Sequence, residues 1–132
     1  MVFKLKIDTT RQQEFIEITN QIEKLIKESK TKDGICVIHC PHTTAGLLIN
    51  EDADPAVRKD ILGQLEKLIP QNNNYLHLEG NSHAHIKSSL LSSNLTLIIE
   101  NFNLVLGRWQ GIYFCEFDGP REREVWVKTM QT

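Results

Sequence analysis

The chain has 132 residues, 15 basic and 17 acidic, and a formal charge of −2. That is the length of one domain, without the positive excess of a general nucleic-acid binder. No apolar run approaches the ~20 residues that cross a bilayer, and the opening "MVFKLKIDTT" is too polar for a secretory signal. The expectation is a single domain over residues 1–132, soluble and cytoplasmic, with neither membrane nor nucleic acid as partner. The three cysteines Cys36, Cys40 and Cys115 are odd in number and lie in apolar segments, so they read as small buried hydrophobes rather than a disulfide framework.

The first elements are two alternating stretches. "VFKLKID" and "EFIEIT" flank the polar "TTRQQ" and predict a β-hairpin. Asn20 is placed to cap the helix that follows, with Glu23 three residues on as in a capping box. Ile22, Leu25 and Ile26 give that helix its apolar face, and Gly34 is placed to end it. "GICVIHCP" is nearly all apolar and predicts a central strand, and "GLLIN" a short second one. "DPAVRKDILGQLEKLIP" is the clearest helix: Asp54 at the cap, Pro55 at the first helical position, Val57, Ile61, Leu65 and Leu68 at helical spacing, Pro70 as the stop.

"QNNNYLHLEGNSHAH" is a polar connection too long for a plain turn, and such loops often carry function. "IKSSLLSS" predicts one or two helical turns. "LTLIIE", "NLVLG", "QGIYFCEFD" and "REVWVKT" then predict four strands in succession. The pattern is an α+β domain, a sandwich of antiparallel-rich sheet with packed helices.

All five histidines fall in two places. His39 and His42 end the apolar strand, while His77, His83 and His85 lie in the long connection. Were the two regions to meet, a multi-histidine site would follow, and a catalytic zinc typically takes three protein ligands and a water. H-x-H places both rings on one face of an extended segment but not of a helix. His39 and His42 fall on opposite faces of a strand, and Pro41 sets His42 apart as the better site residue. Taken singly, each is equally a half-buried, hydrogen-bonded structural histidine.

A second constellation suits an anion. Thr43 and Thr44 in "HTTAG", and Lys87, Ser88 and Ser89 in "KSS", offer hydroxyls and an ammonium near a helix start. Arg108 and Arg121 are further clamps for a phosphate. Local capping explains the Thr and Ser residues equally well. Glu51 would serve as a base or as the partner of a histidine. Glu116 lies on a strand where a buried carboxylate needs a partner, and Trp109 reads as a core aromatic.

Three blocks, in this order, resemble one family. They are "PHTTAGLLINEDADPAVRKDI", "YLHLEGNSHAHIKSSLLSSNLTL" and "GRWQGIYFCEFDGPRER". Together they are similar to the YjbQ family, named secondary thiamine-phosphate synthase, over nearly the whole chain. The resemblance implies an α+β sandwich-like domain, a homotrimer, and a histidine site near a subunit boundary that holds a divalent metal, with zinc the expected ion. The family pattern falls on His42, His77 and His85 as metal ligands. It also falls on Glu51, Glu116 and Lys87, and on Trp109 and Gln110. His39 and His83 lie outside it. Leu78 stands where members often carry aspartate, and Arg108 where others carry threonine.

The resemblance implies an enzyme of small phosphorylated substrates. The named reaction joins a pyrimidine pyrophosphate to a thiazole phosphate, releasing pyrophosphate, as the main activity or as a side activity of another reaction. Thr43, Thr44, Lys87, Ser88, Ser89, Trp109, Gln110 and Arg121 are then the substrate-binding set, and Glu51, Glu116 and Lys87 the catalytic one. Metal-assisted hydrolysis is the alternative enzyme, with Glu51 or Glu116 as base. A non-catalytic metal- or ligand-binding trimer is the alternative outside enzymes.

Overall fold

The computed structural model describes residues 1–132. Its elements run β1 (Phe3–Asp8), β2 (Glu14–Glu17), α1 (Thr19–Ser29), β3 (Gly34–His39), β4 (Ala45–Glu51), α2 (Pro55–Leu68), α3 (Ser82–Leu90), β5 (Asn94–Glu100), β6 (Asn103–Val105), β7 (Gln110–Glu116) and β8 (Glu122–Gln131). The strands form a sheet in the order β1-β8-β3-β5-β6 and another in the order β2-β7-β4. All pairings are antiparallel. No helix is long and apolar enough to cross a membrane.

Alternation along the strands builds the layers. Val125 and Val127 of β8, Cys36 and Ile38 of β3, and Leu97 and Ile99 of β5 face inward from the first sheet. Ile112 and Phe114 of β7 meet them from the second. Ile18, Ile22 and Ile26 enter the same core, because α1 packs against β6, β7 and β8. The other face of β7 carries Tyr113 and Cys115, which with Phe15, Ala84 and Phe117 form a smaller core. Ile61, Leu62 and Leu65 of α2 close it from outside. The central strand β7 is thus buried on both faces, between a sheet and a helix layer.

Several local expectations are corrected. The first two strands make no hairpin: β1 pairs with β8 and β2 with β7, in different sheets. Helix α1 begins at Thr19 behind Ile18, with no side-chain cap. Asn20 is therefore helical, and Thr19 Oγ1 instead accepts from the Ile112 amide at 2.9 Å. Lys30, in the left-handed conformation at φ 59°, ends α1. Gly34 opens β3, where an added Cβ would lie 1.9 Å from the Met130 carbonyl oxygen. Asp54 caps α2 as its sequence requires, accepting from the Ala56 amide at 2.9 Å, while Leu68 stays exposed. All three cysteines are free and buried, and burial pushes the Cys36 thiol up to about 11.

Helix α3 starts earlier than "IKSSLLSS" indicates, at Ser82. The H-x-H pair is therefore helical, and its two rings turn to different sides. His83 is buried beside Lys87, one turn away. His85 stays partly open to solvent.

Candidate functional site

The sandwich core turns polar at one end. The parity that buries Ile112 and Phe114 also buries Glu116, and the parity that buries Val125 and Val127 buries Arg123. The two charges meet there. Arg123 Nε donates to Glu116 Oε1 at 2.8 Å, and Arg123 Nη2 donates to Oε2. Thr9 Oγ1 also donates to Oε1, at 2.8 Å, and the Asp118 amide to Oε2, at 3.1 Å. Burial pushes the Glu116 carboxyl up, but these donors outweigh it and hold it below the usual range. Arg123 Nη2 further donates to Thr44 Oγ1 at 2.8 Å.

Above this pair opens a cavity of about 400 Å³ whose wall is polar and charged apart from the Pro41 ring. The turn after β3 supplies His42, Thr43 and Thr44. The long connection supplies His77, Glu79 and Asn81, α3 supplies His85, and the β7–β8 region supplies Asp118, Arg121 and Arg123. Arg121 is held at the rim by the Asp118 carbonyl (Nε, 2.7 Å) and carboxylate (Nη2, 2.7 Å). Asn81 Nδ2 donates to Asp118 Oδ2 at 3.0 Å, and Asn81 Oδ1 is buried with no donor facing it.

The three histidines of the family pattern do come together around this cavity. His77 and His85 stand edge to face, their ring centroids 5.4 Å apart. His42 Nε2 lies 2.9 Å from the Glu124 amide and 3.1 Å from its carbonyl. Burial, with Arg123 nearby, holds the His42 imidazole below its ordinary value. Neutral imidazoles are the right donors for zinc, yet no three His, Cys, Asp or Glu side chains converge as a metal set. His39 bonds Asn94 beside Trp126, away from the cavity, as strand parity requires.

Other expected site residues lie elsewhere. Lys87 is wholly buried. Its ammonium donates to Glu66 Oε2 at 2.5 Å and Gln13 Oε1 at 3.0 Å, with His83 Nδ1 at 3.5 Å. It braces α3 against α2 and the start of β2, and does not line the cavity. Ser89 Oγ donates locally to the His85 carbonyl, one turn back, while Ser88 Oγ donates to the Ala45 carbonyl and ties α3 to β4. Glu116, saturated by donors, is an anchor for Arg123 rather than a free base. Glu51, Trp109 and Gln110 lie at the far end of the β4–β7 pair, where Glu51 is in register with Gln110. The cavity abuts the other end, where Ala45 pairs with Glu116. β4 has 7 residues, so the two ends are roughly 20 Å apart.

Burial, then the adjacent Lys87, also lowers the His83 pKa. His42 and His83 are therefore neutral in the fold and protonate more readily when unfolded, so stability is whole above their ordinary 6.5 and falls as pH drops through the lower folded-state values. Melting temperature is expected to decline between about pH 7 and about pH 5, ahead of the carboxylates. A flat profile in thermal melts over that interval would contradict neutral burial of both rings.

The comparisons agree with this architecture. Residues 3–132 match the family model described as UPF0047 protein YjbQ-like. A UPF0047 protein of Methanocaldococcus jannaschii is 57% identical over 128 residues, covering 97% of this chain and 93% of that one. YugU of Bacillus subtilis, another UPF0047 protein, is 47% identical over 131 residues, covering 98% and 99%. Among solved structures, an uncharacterized YjbQ/UPF0047 protein of Clostridium acetobutylicum superposes with a TM-score of 0.95 at 54% identity, covering 97% of this chain and 99% of its own. A protein of unknown function from Sulfolobus solfataricus gives 0.95 at 31% identity, covering 100% and 97%. From residue 3 to residue 132, the chain belongs to the YjbQ (UPF0047) family.

Proposed function

We propose that the chain is an enzyme acting on a small phosphorylated substrate held in the polar cavity. The observation that carries this reading is the meeting of Arg121, Arg123, Thr43 and three histidines, from separate segments, around one cavity that is polar and charged apart from the Pro41 ring. A phosphate there takes charge-assisted hydrogen bonds from the guanidinium groups and further hydrogen bonds from the histidine ring N–H groups, and His77 and His85 are the candidates for proton transfer at the ester oxygen. Transfer of the pyrimidine group from its pyrophosphate onto thiazole phosphate, with pyrophosphate as the leaving group, is the specific reaction carried forward, as a main or a secondary activity. Hydrolysis would need Glu51 from elsewhere, because Glu116 is tied to Arg123.

Within one chain Glu51, Trp109 and Gln110 do not reach the cavity. A homotrimer that sets the far end of one copy on the cavity of the next gives these residues a place in the site. A cytoplasmic setting accompanies this reading. A divalent metal, zinc first, is the second reading. The edge-to-face His77 and His85 rings favour it, and His42 would join them in the tautomer whose Nε2 donates to the Glu124 carbonyl and leaves Nδ1 free. A metal would have to draw these three rings together.

Calorimetric titration with pyrophosphate tests the proposal, run with and without zinc. Wild type is expected to bind, and Arg121→Ala to weaken binding by about tenfold or more, the loss of one charged hydrogen-bonding partner. Absence of binding by wild type in both conditions would sink the anion reading. Zinc that leaves both affinity and protein metal content unchanged would sink the metal reading alone.

A further inference from the structure

The polar cavity shares a wall with a second one. His77 and His85 also line a cavity of about 520 Å³ whose other walls include Tyr75, Leu76 and Ile86. The Tyr75 hydroxyl is engaged by the Pro70 carbonyl at 2.6 Å, which leaves its ring as the surface offered to a ligand. Leu76 is 96% exposed and Ile86 39%, so both gain by being covered. The two cavities therefore differ in character: charged and polar on one side of the histidine pair, apolar on the other.

A third cavity of about 400 Å³ also touches His85, and it is lined by Thr43 and the serines 88, 89 and 93. Its capacity to read a hydroxylated group is reduced, because Ser88 and Ser89 already donate to backbone carbonyls at 2.7 and 2.8 Å. Small-molecule sites combine an apolar wall with a few convergent polar groups. The first cavity is dominated by polar groups, with Pro41 its one apolar ring, and the Tyr75 side supplies the missing wall.

We infer that the cavity beside Tyr75, Leu76 and Ile86 is the subsite for the organic part of the substrate, and that the substrate is a phosphate monoester of a small apolar group about the size of one ring. The inference rests on the anion reading of the polar cavity. The phosphoryl group lies toward Arg121, the ring lies against Tyr75 and Ile86, and the bridging oxygen passes between them beside His85. The aromatic faces and edges of Tyr75, His77 and His85 suit a planar group.

The test is calorimetric titration of the full chain with inorganic phosphate, phenyl phosphate and glycerol phosphate. Phenyl phosphate is expected to bind about tenfold or more tighter than inorganic phosphate, from the apolar area it buries, while glycerol phosphate gains nothing. In a Leu76→Ser, Ile86→Ser variant, whose changes lie at exposed positions and whose fold is checked by circular dichroism, the phenyl gain is expected to disappear. Equal affinity of wild type for phenyl and inorganic phosphate would overturn the subsite and leave the anion reading standing. A phenyl gain that survives in the variant would overturn its placement. No binding of any of the three would overturn both readings together.

Discussion

Arg123→Ala is expected to lower the unfolding free energy by about 3–5 kcal/mol, because it strands a buried carboxylate. Glu116 and Arg123 are 0% and 5% exposed, so water cannot replace the lost guanidinium without opening the end of the sandwich. Thr9 and the Asp118 amide would remain as donors to Glu116, but neither carries charge. For a domain of this size the loss corresponds to roughly 10–20 °C in melting temperature.

The pH dependence gives this prediction a signature that a simple packing defect lacks. In the wild type the Glu116 carboxyl is held below its ordinary 4.5, so its contribution is present above that value and is lost as pH falls through the folded-state one. Without Arg123, burial, the largest influence on the Glu116 carboxyl, is opposed only by the uncharged Thr9 and Asp118 donors and pushes its pKa up. The folded variant then binds a proton more readily than the unfolded chain, and its stability rises as pH falls through that raised value. The gap between wild type and variant should therefore narrow from about pH 8 to about pH 5. Glu116→Gln in the Arg123→Ala background, which removes the stranded charge, should recover part of the loss. A variant that melts with the wild type, or a gap that widens on acidification, would show that the pair does not carry the end of the core.

Lys87→Ala is expected to cost about 2–4 kcal/mol, the range for truncating a fully buried long side chain, and to leave the affinity for pyrophosphate unchanged. Its stem is enclosed, and its ammonium holds Glu66 of α2 and Gln13 ahead of β2 to α3. Glu66 itself is 41% exposed on its side chain, so it returns to water when Lys87 is removed. The cost is thus chiefly the cavity and the lost brace. Lys87→Met, which keeps the volume, should be milder. Chemical denaturation measures the first effect, and calorimetry on the folded variant the second. A folded Lys87→Ala protein that no longer binds pyrophosphate would restore Lys87 to the anion site and overturn its placement as a brace.

Local signals were reliable where one segment decides the outcome. Asp54 and Pro55 specify the start of α2 whatever surrounds them, because the orphan amides they serve lie within the same turn. Alternation in "REVWVKT" likewise specifies a strand and its faces, and the apolar run in "QGIYFCEFD" a strand buried on both. The sequence also marked Glu116 as a strand carboxylate that needs a partner once buried, and parity identifies that partner. Arg123 shares parity with Val125 and Val127, and Glu116 with Ile112 and Phe114. Two opposite charges on inward positions of successive strands, which the fold sets in facing sheets, point to a buried pair. Asn81 and Asp118, which also line the cavity, carry no such pattern.

By itself, then, the sequence determined the α+β class, most elements, the free buried cysteines and the grouping of His42 with His77 and His85, the last through the family pattern rather than through spacing. Only the tertiary structure decided that β1 and β2 part company into different sheets, since strand pairing is a long-range contact that two alternating segments cannot choose alone. It also decided that α3 reaches back to Ser82. That one change of local geometry turns His83 and Lys87 inward to Glu66 and leaves His85 facing the cavity, because a helix spaces its faces at 3.6 residues where a strand would have kept His83 and His85 together.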